Sequence, residues 1–182
     1  MTASVFLSCQ TPYLNVQQAF LKKLKTDLKG RCLFYRTVGV TDFDMRAPLS
    51  AIRSLMLDCN GLIAIAFRRH YIKEGTEKPD SDIGVKHNNL SGEWFTTPWC
   101  QIEPAMAFQI GLPVLIFREK GVHAEGILEK GVFGTYMPEF DLSGNMDEYF
   151  SSDEYKQIIK SWESKVWQVV SRKGNPRKLY DE

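Results

Sequence analysis

The chain has 182 residues, 43% of them apolar, and its 23 Lys and Arg almost cancel 22 Asp and Glu. That length supports one domain with a sizeable core and is too short for two comfortable ones. The charge balance excludes a broad positive field of the kind that grips nucleic-acid backbones. No apolar run approaches the roughly 20 residues that span a bilayer, so neither nucleic acid nor membrane is an expected partner.

Residues 1–7 lack the basic start and longer apolar stretch of a secretory leader, which makes a cytoplasmic location the expectation. An apolar run over residues 4–9, closed by Gln10-Thr11-Pro12, predicts a first strand. Val16, Phe20, Leu21, Leu24 and Leu28 then recur at helical spacing until Gly30. Residues 31–35 predict a second strand and residues 37–46 a polar loop. Leu49, Ile52, Leu55 and Met56 predict an amphipathic helix entered through Pro48 and closed by Asn60-Gly61. Residues 62–67 are apolar without alternation, as in a strand buried on both faces of a parallel sheet. A third helix is predicted over 98–111 and a fourth strand over 114–117. Strand and helix thus alternate three times, which points to a doubly wound α/β sheet with right-handed crossovers.

Two stretches interrupt the alternation. Residues 68–96 form a long polar insertion carrying Tyr71, Trp94 and Phe95, and connections of that length tend to be lids or binding loops with partial order. Residues 118–135 hold four glycines among apolar residues, which suits a short helix or irregular cover at the sheet edge. A last strand over 136–142 is followed by one long or broken helix over 146–172, rich in large apolar residues that include Trp162 and Trp167. The domain therefore spans 1–172, and 173–182 reads as a loose polar tail. Cys9, Cys32, Cys59 and Cys100 lack paired spacing and lie beside apolar segments, so they read as reduced core thiols. His70, His87 and His123 are scattered, and no metal site is expected.

Glu103 is the residue that stands out. In a helix it shares a stripe with Trp99, Met106, Ala107 and Ile110, and a carboxylate among packing residues has a partner, opens onto a cleft, or serves a ligand. Ligands in open α/β sheets bind beyond the carboxyl ends of the strands. That rule adds Ser8, Gln10 and Thr11 after the first strand, Arg36 and Thr37 after the second, and Arg68 after the third. Ser8 either hydrogen-bonds a ribose or phosphate or caps its own turn. Arg36 and Arg68 either hold a pyrophosphate or are solvated or ion-paired. Trp99 either stacks on a base or packs in the core, and Phe43 is a further stacking candidate on a loop.

The run Val5-Phe6-Leu7-Ser8, the segment Gly61-Leu62-Ile63-Ala64-Ile65-Ala66 and, most specifically, Trp99-Cys100-x-x-Glu103 resemble the TIR (Toll/interleukin-1 receptor) domain. The continuation to Ala107 and Gly111-x-Pro113-Val114 is also similar to the nucleoside 2-deoxyribosyltransferase family. The resemblance covers roughly residues 4–117. It implies a flavodoxin-like three-layer sandwich with a central parallel sheet, plus the long C-terminal helix. It further implies that Glu103 cleaves an N-glycosidic bond of NAD or a related nucleotide, with NAD as substrate and no resident cofactor. It also implies homo-oligomeric assembly and a role in antiviral immune defence, through NAD depletion or a cyclic ADP-ribose type signal. A non-catalytic TIR-like interaction module and a deoxyribosyltransferase or N-hydrolase are the competing expectations. The chain departs from the TIR pattern at Pro104, directly after the glutamate, and in the polar loop after the second strand, and its 68–96 insertion is longer than usual.

Overall fold

The computed structural model describes residues 2–132 and 134–172. In chain order the elements are β1 (Ala3–Cys9), α1 (Asn15–Gly30), β2 (Leu33–Arg36), α2 (Pro48–Leu57), β3 (Leu62–Ala66), β4 (His70–Tyr71), β5 (Thr76–Glu77), β6 (Asn88–Asn89), β7 (Trp94–Phe95), α3 (Trp99–Gln109), β8 (Val114–Arg118), β9 (Thr135–Tyr136), α4 (Met146–Ser151) and α5 (Asp153–Ser171), with one 3-10 turn at Gly126–Leu128. Five strands pair in the order β2-β1-β3-β8-β9, all parallel. Counted along the chain, those strands run 2-1-3-4-5, the flavodoxin-like order, which reverses direction between β1 and β3 and opens a crevice there. The expected α/β sandwich is thus the observed one.

Strand alternation divides the core between the two faces. Val5, Leu7, Ile63, Ile65 and Phe117 pack with α1 and α5, whereas Phe6, Ala64, Ala66 and Ile116 pack with α2 and α3. β3 is buried along its whole length because helices cover both of its faces. On the first face Trp162 is fully buried and donates its indole N–H to the Pro113 carbonyl at 3.0 Å. Gly61 permits this packing, since a Cβ there would lie 2.7 Å from Val166. Among the described residues no helix is long and apolar enough to cross a membrane.

Several boundaries differ from expectation for identifiable reasons. β2 starts at Leu33 rather than residue 31, because Cys32 takes φ 59°, a left-handed conformation that a strand cannot continue. Cys32 is also exposed, so the core-thiol reading fails for it, while Cys59 and Cys100 are buried. The long C-terminal helix is broken at Ser152, whose hydroxyl accepts from the Tyr155 N–H and restarts the helix as a cap. The last strand is only two residues, since Pro138 removes a ladder donor. The insertion is ordered into two antiparallel ladders, β4 with β7 and β5 with β6, forming an arm that leaves and re-enters at the carboxyl end of β3. The expected loose tail at 173–182 lies outside the described residues.

Candidate active site

The site is assembled from β1, β3 and the first turns of α3. Ser8 lies on the same sheet face as Phe6 and pairs in register with Ala64. Ala64 and Ala66 carry small side chains, which lets α3 settle onto the sheet through Cys100, Pro104 and Ala107. The buried stripe of α3 therefore runs through Cys100 rather than Trp99, which is 42% exposed. Pro104 neither begins nor ends the helix. It lies inside α3, where its missing N–H leaves the Cys100 carbonyl without its helical donor. Gly111, at φ 81°, takes the left-handed conformation just beyond the end of α3.

Glu103 is half-buried on this helix, and the hydroxyl of Ser8, itself only 2% exposed, donates to its carboxylate. Burial pushes the carboxyl from 4.5 up to about 7, and the Ser8 hydroxyl opposes that rise by stabilising the charged form. Near neutral pH the group is thus divided between acid and base forms, which suits proton transfer in either direction. The neighbouring thiols are different. Burial raises Cys9 to about 12 and also raises Cys100, so both stay protonated and are poor nucleophiles.

Glu103 opens onto a cleft of about 360 Å³, whose walls come from the β1–α1 loop, the residues after β2, the start of α2 and the start of α3. The structure brings Ser8, Gln10, Thr11, Thr37 and Trp99 to this cleft with Glu103. Two of them are braced by the fold. The Gln10 amide donates to the Phe67 carbonyl at 3.0 Å and its oxygen accepts from Thr96 at 3.4 Å, while Thr37 donates its hydroxyl to the Leu7 carbonyl at 3.0 Å. Trp99 is 42% exposed and lines the cleft, so its core reading is corrected. Among the described residues no Lys, Arg or His lines the cleft.

No protein family matches the chain in sequence, and no curated protein does. Solved structures of similar shape include two that differ in activity. The Clostridium botulinum CMP N-glycosidase BcmB has 12% identity and a TM-score of 0.45, covering 80% of this chain and 93% of its own. The Paracoccus denitrificans flavoenzyme FerB, an NAD(P)H:(acceptor) oxidoreductase, has 10% identity and a TM-score of 0.40, covering 93% of this chain and 95% of its own. Likeness at these levels decides nothing about chemistry.

Three expected residues lie elsewhere. Arg36 is held by Asp42, with its Nη2 at 2.5 Å, because Asp42 returns to it through the turn after β2. Arg68 donates to the Lys120 carbonyl at 2.8 Å from Nε and lies over the Trp94 ring, so it ties β3 to β8 and the arm. Phe43 is 85% exposed on its loop, away from the cleft walls. Thr97 and Cys100 line the cleft although the strand-end rule did not reach them, since they come from the approach to α3 and its first turn. Arg69 was also missed. Its guanidinium donates to the carbonyl of Thr11 at 3.2 Å and lies over Tyr13, with no carboxylate partner among the described residues, at the rim where Thr11 meets the cleft. Its only sequence signal is its place two residues beyond the expected end of the third strand. Among the described residues no three His, Cys, Asp or Glu side chains group as a metal site would require.

Proposed function

We propose that the protein is an enzyme that cleaves the N-glycosidic bond of a nucleoside-derived substrate, with Glu103 as its catalytic residue. The observation that carries this reading is a half-buried carboxylate, fixed by a serine hydroxyl and poised near neutrality, facing a cleft of neutral polar groups at the reversal point of the sheet. As the bond between the anomeric carbon and the base nitrogen breaks, its electron pair leaves with the base and positive charge builds on the sugar. The Glu103 carboxylate stabilises that charge. It then takes a proton from the water that adds to the anomeric carbon, or itself bonds to that carbon before water releases the sugar.

NAD is the substrate implied by the TIR resemblance, and nicotinamide leaves it as a neutral molecule, so no acid need protonate the leaving group. The same resemblance extends the proposal to NAD depletion or a cyclic ADP-ribose type signal in antiviral defence. Arg69, at the rim, is the side chain we assign to the phosphates in place of Arg36 and Arg68. A second reading, hydrolysis or base exchange on a nucleoside, is favoured by the absence of a cation among the described cleft-lining residues. Chromatography of products after incubation with NAD, and separately with nucleosides and deoxynucleosides, tests both. Release of free base by the native protein and not by Glu103→Gln is the expected result. No release from any of them, at high protein concentration, would leave the interaction-module alternative.

A further inference from the structure

A second cavity of about 450 Å³ lies beside the cleft, under the base of the arm, and Thr97 lines both. Its walls include His70, Phe95, Gln101, His123 and Glu125. The arm builds it: β4 places His70 opposite Phe95, and the Phe95 ring stacks on the His123 imidazole with centroids 4.8 Å apart and planes 27° apart. The loop after β8 is tied to the arm at this point: the His123 backbone N–H donates to the Trp94 carbonyl at 2.7 Å, and the Glu93 carboxylate stands 3.6 Å from the imidazole.

We infer that this cavity is a second subsite, and that it takes a nucleobase joined through phosphates to the sugar held at Glu103. The inference rests on the N-glycosidic reading of the neighbouring cleft and narrows it to a dinucleotide substrate. Three features select the ligand class. The cavity has the size usual for a small-ligand site, roughly 300–1,000 Å³. The stacked Phe95 and His123 rings offer flat π surface to a planar heteroaromatic ring, while His70, His123 and Glu125 supply donors and acceptors for its edge. The two cavities meet at Thr97, just before the amino end of α3, so one extended ligand can reach into both. This division also fits a Glu103 cleft whose described lining residues include no cation: the charged part of the substrate would lie outside it, on the side of Arg69.

The test uses the Glu103→Gln protein, expected to bind without turning over, in calorimetric titrations with NAD and with nicotinamide mononucleotide. NAD, which carries the second base, is expected to bind at least about tenfold tighter, the worth of one stacked base. Phe95→Leu keeps apolar bulk and removes the ring, and should shrink that advantage to about twofold. Equal affinities, or an advantage that survives Phe95→Leu, overturn the inference. Adenosine monophosphate then probes the slot alone, read by the imidazole resonances of His70 and His123. Shifts at both support the subsite, and no shift overturns it even if cleavage at Glu103 is observed. If neither nicotinamide ligand binds while adenosine monophosphate shifts both imidazoles, the subsite stands and the N-glycosidic reading falls.

Discussion

Glu103, half-buried, and Glu119, buried, both lie near the carboxyl ends of sheet strands, and burial pushes both carboxyls above their ordinary range. Their surroundings differ. Glu119 is 5% exposed and accepts from the Arg68 backbone N–H at 2.8 Å and from the side chain of Gln17, with the Arg68 guanidinium 3.8 Å away. Gln17 is fully buried and donates in turn to the Arg68 carbonyl at 3.4 Å. Every group in that cluster is used to hold the end of β3, where the arm departs. Among the described residues Glu103 has one donor, from Ser8, and otherwise faces the cleft. A raised carboxyl is therefore not by itself a mark of chemistry. What separates the two is whether the carboxylate's remaining lone pairs meet protein or open space.

The sharpest way to break the comparison is substitution of each residue in turn. Glu103→Gln should lower product formation about a thousandfold, within the usual range for removing a proton-transfer group, while circular dichroism shows an intact fold. Glu119→Ala should do the reverse. It strands the Arg68 N–H and the Gln17 amide, and an unfolding titration should show a loss of about 2 kcal/mol. Comparable activity in Glu103→Gln, or an unchanged midpoint in Glu119→Ala, would erase the distinction.

pH provides a subtler test. Because the folded carboxyl of Glu103 titrates at about 7 rather than 4.5, the native state holds more protons across that window, and stability falls as pH rises through it. Glu103→Gln removes this loss, so the variant should exceed the native protein by about 1 kcal/mol near pH 8 and show no gain near pH 4. If the ionised carboxylate is the working form, kcat/KM should rise with pH on an acid limb near 7. Ser8→Ala, which deletes the hydroxyl that stabilises the charge, should move that limb to higher pH. A limb that stays in place would make Ser8 a packing residue only.

Smaller effects are expected in the arm and in assembly. The outer ladder, β5 with β6, should exchange its amides and be cut by protease sooner than β4 with β7, whose strands are tied to residues 122 and 123. Bound nucleotide should slow exchange in the inner ladder. Homo-oligomerisation remains a proposal from the family resemblance. Its structural motive is weaker, since Trp162 is buried in its own core and the indole of Trp167 donates to Glu163 at 3.4 Å. Light scattering across a dilution series, with activity followed in parallel, would show specific activity rising with concentration if copies complete one another's sites.

The sequence by itself determined the sheet, because apolar period and helix stops are local properties. The unbroken apolar run of β3, the Pro48 start of α2 and the spacing of Phe20, Leu24 and Leu28 all reappear where they were read. Glu103 was legible for a similar reason, since a carboxylate on a stripe with Trp99, Met106, Ala107 and Ile110 stands out on a helix that must pack against a sheet, although the structure turns Cys100 and not Trp99 toward the core. Which neighbours share its cleft was only partly legible. The strand-end rule names positions, but Arg36 and Arg68 have several partners within reach, and choosing among Asp42, Lys120 and the cleft depends on contacts between segments far apart in the chain. Tertiary structure alone decided the arm as well. Its four strands are two residues each, too short to leave a periodic signature, and they exist because they pair with one another and dock on the loop after β8.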